Sequence, residues 1–166
     1  MKPLLERMLL ELIFTEAMQK AKQIIKILKP YVTRIAIAGS LARKHEDVGD
    51  VDLVAVLKDD NIKEVLGKTP KVSNIGGGEQ TINFDYDGIG FNLWMTPEKS
   101  FEATWLHFAW GKGIIRAKMV AKDKGYKLTR YGIFKDDKFI TGKMKEIFKI
   151  IGMEPKKDIG IENIIG

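Results

Sequence analysis

Apolar residues recur at three- and four-residue steps through Leu5, Met8, Leu9, Leu12, Ile13, Ala17, Ala21, Ile24, Ile25 and Leu28. This spacing predicts one or two helices over residues 3–29. Pro30 ends the run because it cannot continue the hydrogen-bond ladder. Residues 34–38 (Arg-Ile-Ala-Ile-Ala) read as a short strand stopped by Gly39-Ser40. The run 51–57 is apolar enough to lie centrally in a sheet, and Lys58-Asp59-Asp60-Asn61 then caps a short helix around 62–66. Gly76-Gly77-Gly78 reads as a flexible bend. Beyond it, strands over 81–86 and 90–95 flank Asp87-Gly88, a dipeptide suited to a tight hairpin turn. Pro97 and Glu98 open a helix through Phe101, Trp105 and Phe108, broken at Gly111 to Gly113. A basic helix over 114–124 stops at Gly125, a position that favours glycine. Strand-like pieces follow at 126–128, 131–134 and 138–140, with Asp136-Asp137 as a turn, and a last helix over 143–151 stops at Gly152. Phe101, Trp105 and Met119 are assigned to the core. There is no internal repeat. The order of elements predicts an α+β domain followed by a smaller basic α+β unit, with a break near residue 110.

Composition narrows the chemistry. The chain has 166 residues, 45% of them hydrophobic and 30% charged, which argues for a globular domain and against intrinsic disorder. Without cysteine there is no disulfide framework, no Cys-based zinc site and no thiol nucleophile. Imidazole comes only from His45, read as surface, and His107. The apolar opening at 4–14 is interrupted by Glu6, Arg7 and Glu11 and precedes no small-residue cleavage site. Neither a membrane span nor an export leader is therefore expected, and an intracellular, cytoplasmic protein is, or one of a virion or host cell if its source is viral; a monomer is expected as well.

The net charge of +6 is unevenly divided. Residues 1–110 carry 14 basic and 15 acidic groups, whereas 111–166 carry 14 basic and 7 acidic groups. A polyanion would sit on the last third. There Arg116, Lys118, Lys122, Lys124, Lys127 and Arg130 form a basic run suited to the phosphates of a nucleic acid. The competing account is a solvated face that keeps the domain soluble.

The most informative stretch runs from Gly39-Ser40 through Arg43 and Gly49 to Asp50-Val51-Asp52. Asp50 and Asp52, two apart at the start of a strand, point to one face. Paired carboxylates repel unless a cation sits between them, and a hard divalent ion such as Mg²⁺ answers that repulsion while also binding phosphate oxygens. Glycine lets the backbone approach closely, so N–H groups and the Ser40 hydroxyl can take a phosphate. Arg43 adds a forked cation. The bland account of the same residues is a loop-to-strand cap beside an ordinary turn. Gly-Ser, Arg and Asp-x-Asp in fixed order between two apolar strands carry more weight than a lone Asp-x-Asp.

Gly39-Ser40 followed after nine residues by Asp50-Val51-Asp52 resembles the signature of polymerase-beta-type nucleotidyltransferases, and the placement of Arg43 and Gly49 resembles the family X DNA polymerases. The likeness continues through 103–108, where a helix ends in an aromatic pair. It extends through 121–134 (Ala-Lys-Asp-Lys-Gly-Tyr-Lys-Leu-Thr-Arg-Tyr-Gly-Ile-Phe) and the closing segment 146–153, and so covers about 15–155. It implies a nucleotidyltransferase palm over 1–106, with a mixed sheet and flanking helices, and a C-terminal nucleotide- and DNA-binding subdomain over 107–166. The size resembles the small viral enzymes of this family, without room for a lyase domain. By that resemblance Asp50 and Asp52 hold two Mg²⁺ ions, replaceable by Mn²⁺. Gly39, Ser40, Arg43 and Gly49 contact a deoxynucleoside triphosphate, and His107-Phe108 lie beside its sugar and base. Arg116, Lys118, Lys122, Lys127 and Arg130 hold a primer-template or gapped DNA. The implied reaction is attack of a primer 3′-hydroxyl on the α-phosphorus, filling short gaps during repair.

Two departures stand out. The family carries a third Asp on the second hairpin strand, where this chain has Asn92 within Phe91-Asn92-Leu93-Trp94. An amide can lend an oxygen to a metal but cannot take a proton, so the chemical step suffers more than nucleotide binding. Three accounts compete: a substitution made to trap a complex, a natural change in a weakened or repurposed enzyme, or a shift of register in which Asp85 or Asp87 supplies the charge. The second departure is Ala109-Trp110-Gly111-Lys112 in place of Thr-Gly-Ser. Trp110 there either stacks on a base or fills the core. Alternative functions are a small nucleotidyltransferase acting on RNA or protein, and a non-catalytic DNA-binding relative.

Overall fold

A computed structural model describes residues 2–43, 48–154 and 164–165. The amino-terminal periodicity forms one 25-residue helix, α1 (Leu4–Leu28), and Pro30 sits in the 3-10 turn Lys29–Tyr31 that closes it. The chain then enters β1 (Val32–Ala38), the single turn α2 (Gly39–Arg43) and β2 (Val51–Leu57). After α3 (Ile62–Gly67) come three consecutive strands, β3 (Val72–Gly77), β4 (Thr81–Tyr86) and β5 (Ile89–Met95). A 3-10 turn leads into α4 (Phe101–Ala109) and α5 (Gly113–Asp123). The small strands β6 (Lys127–Thr129), β7 (Gly132–Lys135) and β8 (Lys138–Thr141) follow, then α6 (Met144–Ile151) and the short β9 (Ile164–Ile165).

The main sheet has the order β3-β4-β5-β2-β1-β9. Only β2 and β5 run parallel and the other pairs are antiparallel, which makes the sheet mixed. This is the α+β architecture, with flanking helices, that the sequence predicts. The near-continuous burial of β2 follows from its central place between β1 and β5. Asp87 and Gly88 both have positive φ (49° and 85°), the conformation a two-residue hairpin turn needs to match strand twist. A second, three-stranded sheet, β6-β7-β8, packs with α5.

One hydrophobic core runs from Ala17 and Ile24 on α1, through Leu53, Phe84, Phe91 and Leu93 of the main sheet, to Ile147 and Phe148 on α6. α4 joins the halves. Its Trp105 is fully buried and donates from Nε1 to the Ile37 carbonyl at 2.8 Å. Thr104 bonds the Thr96 hydroxyl at 2.8 Å and the Arg130 carbonyl at 2.6 Å.

Two expectations are corrected. The Gly76–Gly78 bend is instead the end of strand β3, with Gly76 and Gly77 inside the strand and only Gly78 beyond it. A Cβ on Gly77 would collide with the Thr81 carbonyl, so glycine there lets β3 close on β4. β3 is an exposed edge strand, and its Ser-Asn-Ile-Gly-Gly stretch has no apolar alternation to announce it. Met119 is 63% exposed, not core, because α5 turns Ile114, Ala117 and Ala121 inward.

Candidate active site

Strand register assembles the acidic corner. β2 and β5 pair with Val51 opposite Phe91 and Asp52 opposite Asn92. A Cβ on Gly90, two residues before Asn92 and on the same face of β5, would stand 2.5 Å from Asp50 Oδ1. Asp50 and Asp52 therefore emerge on one face, one over Gly90 and the other beside Asn92. Across the opening, Gly39 starts α2 at φ +63°, and a Cβ there would collide with Asp52 Oδ2. The corner is a cradle whose floor and wall are both glycine. Ser40, next in line, is partly buried, and its hydroxyl has no protein partner among the described residues.

Register bears on one of the three accounts of Asn92, the shift to Asp85 or Asp87. Asp85 accepts from Asn74 Nδ2 at 2.7 Å, and Asp87 is paired with Lys20 at 2.6 Å, which holds its carboxyl below the usual carboxylate range. Neither reaches Asp52. Asn92 does, donating from Nδ2 to Asp52 Oδ1 at 3.2 Å. Trp94 Nε1 donates to the same oxygen, also at 3.2 Å. The acids thus face an amide, and Asp52 has one oxygen doubly bonded from β5 while the other points toward Gly39.

Trp94 carries the site toward the C-terminal half. Its indole stacks on Phe108 with centroids 4.2 Å apart, and the Arg130 guanidinium lies 5.8 Å above it. Arg130 also bonds Gln80 and, at 2.7 Å, the Tyr131 hydroxyl. His107, edge-on to Phe108, has a buried Nδ1 with no partner among the described residues. Burial, helped by Lys118 and Arg130, pushes its pKa down to about 4, so the ring is neutral at physiological pH. Arg43 leaves α2 and donates from Nη1 to the carbonyls of Phe108 (3.2 Å) and Ala109 (3.3 Å), tying the Gly-Ser turn to the end of α4.

Of the residues singled out from sequence, Gly39, Ser40, Asp50, Asp52 and Asn92 meet at the corner. Arg43, Phe108 and His107 connect to it through α4 and Trp94. Gly49 is exposed, with nothing within 4 Å of a Cβ position, so no close approach demands glycine there. His45 lies outside the described residues. Trp110 is buried with its ring edge-on to Phe148, 5.1 Å between centroids, which is the core placement. On α5, Arg116 and Lys122 are exposed and Lys118 partly so. Lys127 is exposed on β6, and between these cations Ile115 and Met119 also face solvent. Sequence reasoning missed Gly90 and Trp94. The signal was available: strand alternation places residues 90, 92 and 94 on one face.

The donor set suits a hard divalent cation in part. Mg²⁺ binds through one or two carboxylates plus phosphate oxygens, and two carboxylates with glycine on either side leave that space. Among the described residues no group of three or more His, Cys, Asp or Glu gathers in metal-binding proximity. One ion shared with a substrate phosphate fits these residues. A second has no third carboxylate.

No protein-family model and no curated protein matches the sequence. Solved structures do match. One is polymerase beta of Leishmania infantum, described as a ternary P/T complex, with a TM-score of 0.74 and 18% identity. The match covers 88% of this chain and 74% of that one. The chain has a polymerase-beta-like fold.

Proposed function

We propose that this chain is a metal-dependent nucleotidyltransferase of family X type, adding a deoxynucleotide from a triphosphate to a primer 3′-hydroxyl in short DNA gaps. The observation that carries this reading is the corner itself. Two carboxylates lie on one face at the start of β2, against a Gly-Ser turn that a Cβ would close off, in a fold similar to that of a polymerase described as a ternary P/T complex. Asp50 and Asp52 would hold the cation, which when bound neutralises triphosphate charge and eases loss of the primer hydroxyl proton. Asp52 is held by Asn92 and Trp94 with Oδ2 toward Gly39, and Gly39 and Ser40 present N–H groups and a hydroxyl to phosphate oxygens. Neutral His107 and Phe108 form the wall for sugar and base. Residues 107–166 supply the basic surface, with Arg116, Lys118, Lys122 and Lys127 toward DNA phosphates and Arg130 braced against Trp94. Asn92 cannot accept the hydroxyl proton, so turnover is slow.

Primer extension on a one-nucleotide gap, with Mg²⁺ and with Mn²⁺, tests this. Weak incorporation is expected from the chain as it stands, a gain of about 10²-fold or more from Asn92→Asp, and none from Asp52→Ala. Equal rates for all three would remove the corner from the chemistry. Transfer to RNA or protein acceptors in place of gapped DNA would reassign the substrate.

A further inference from the structure

The two oxygens of Asp52 stand in different surroundings. An ionised carboxylate has about four lone-pair sites, two on each oxygen. Both sites on Oδ1 are taken, one by Asn92 Nδ2 and the other by Trp94 Nε1, each at 3.2 Å. Oδ2 faces Gly39 and has no hydrogen-bond partner among the described residues. Asp52 therefore has one oxygen to offer a cation, on the side of the Gly-Ser turn, and one that is closed from the side of β5.

The two donors differ in what they can give up. An amide can turn over and present its carbonyl oxygen to a cation, but an indole N–H only donates. Trp94 is also fixed in place. Its ring lies nearly parallel to that of Phe108, 17° between planes and 4.2 Å between centroids, and the Arg130 guanidinium sits 5.8 Å from it. Swinging the indole off Asp52 would break that stack along with the hydrogen bond. A cation placed on Oδ1 would meet the positive end of the N–H dipole. Nor does another side chain make up the loss. Asp85 and Asp87 are engaged with Asn74 and Lys20, and among the described residues no third acid or histidine joins Asp50 and Asp52.

We propose that the corner takes one divalent cation, not two, and that the N–H groups of Asn92 and Trp94 stand where a second would bind Asp52. The proposal rests on reading the corner as a nucleotidyl-transfer site and specifies its metal complement. The single cation binds through Asp50 and Asp52 Oδ2, where glycine leaves room for a phosphate oxygen to complete its shell. On the β5 side, oriented N–H dipoles supply fixed partial positive charge and need no ion. This departs from the pair of ions that the family resemblance implies. The cause is Trp94 as much as Asn92: restoring a carboxylate at residue 92 leaves the indole N–H on Oδ1.

Mn²⁺ reports the number of ions without turnover, because two Mn²⁺ held about 3.5–4 Å apart, as in two-metal sites, couple magnetically and a lone ion does not. The full chain is mixed with a one-nucleotide-gap duplex and a deoxynucleoside triphosphate whose α,β-bridging oxygen is replaced by nitrogen. Mn²⁺ is then titrated and its electron paramagnetic resonance spectrum recorded. Wild type should show bound but uncoupled Mn²⁺ throughout. Asn92→Asp combined with Trp94→Phe adds a carboxylate, frees Oδ1 and keeps a ring against Phe108, and it should show the coupled pair. Asn92→Asp alone, which keeps the indole, should need about tenfold more Mn²⁺ to reach that pair. A coupled pair in wild type would overturn the proposal while leaving the assignment of the corner intact. Uncoupled Mn²⁺ in both variants would also overturn it, since Asn92 and Trp94 would then not be what excludes the second ion. If wild type leaves the Mn²⁺ spectrum of the DNA and triphosphate mixture unchanged, both the proposal and the reading of the corner fail.

Discussion

Gly39 illustrates how much of the site rests on single atoms. Its positive φ and the approach of Asp52 Oδ2 are both incompatible with a Cβ. Gly39→Ala should cost roughly 1–2 kcal/mol of stability, read from a denaturant midpoint. It should also lower nucleotidyl transfer by about 10²-fold, because misplacing a positioned group by an ångström has that effect. Gly49→Ala, in open space, should change neither. His107 provides a pH signature. Its folded-state pKa, about 4, lies below the ordinary 6.5, so the unfolded chain takes up the proton first as pH falls. Stability contributed by the neutral ring is complete above 6.5 and is lost progressively as pH drops toward 4. Urea midpoints should decline across that window for wild type and decline less for His107→Gln. The Gly-Ser and Asp-x-Asp spacing was legible at this scale because it is local. Alternation puts Trp94 on the face of Asn92, but its bond to Asp52 was not legible, because that residue is 42 positions away and only register brings them together.

Helices and strands were readable wherever one face is buried. α1, β2, the β4–β5 hairpin and α6 follow their apolar periods, since a regular element with a core side must repeat at 3.6 or 2 residues. β3 did not, being an exposed edge with no buried face to impose an apolar period. The outward turn of Met119 escaped notice because small residues, Ala117 and Ala121, fill the inward side of α5. α4 matters most to the site. It carries His107 and Phe108 at one end, receives Arg43 at its last carbonyls, and is pinned to β1 by Trp105. Trp105→Ala should destabilise by about 3–5 kcal/mol through the cavity it leaves. Trp105→Phe, which removes mainly the bond to Ile37, should cost about 1 kcal/mol. Thermal or chemical melts of the two variants separate packing from hydrogen bonding.

For the whole molecule, the division of charge sets how the proposed DNA substrate would be met. The acidic corner and the basic α5–β6 surface occupy different thirds of the chain, so affinity and chemistry can be varied separately. Lys118→Ala and Lys122→Ala should each reduce the slope of log affinity for duplex DNA against log salt by about 1. Lys63→Ala, an exposed lysine on α3, should leave it unchanged. The charge asymmetry was legible in sequence; the basic surface's route to the acids, through Arg130 and Trp94, was not. A last consequence follows from the parallel pairing of β2 with β5. Asp52 and Asn92 stand 40 residues apart, and everything between them must fold back before the two strands can lie side by side. Closing so long a loop is slow compared with forming the hairpin itself. Pairing of β2 with β5 is therefore expected among the slower steps of folding, and Asp52 meets Asn92 only once it is complete.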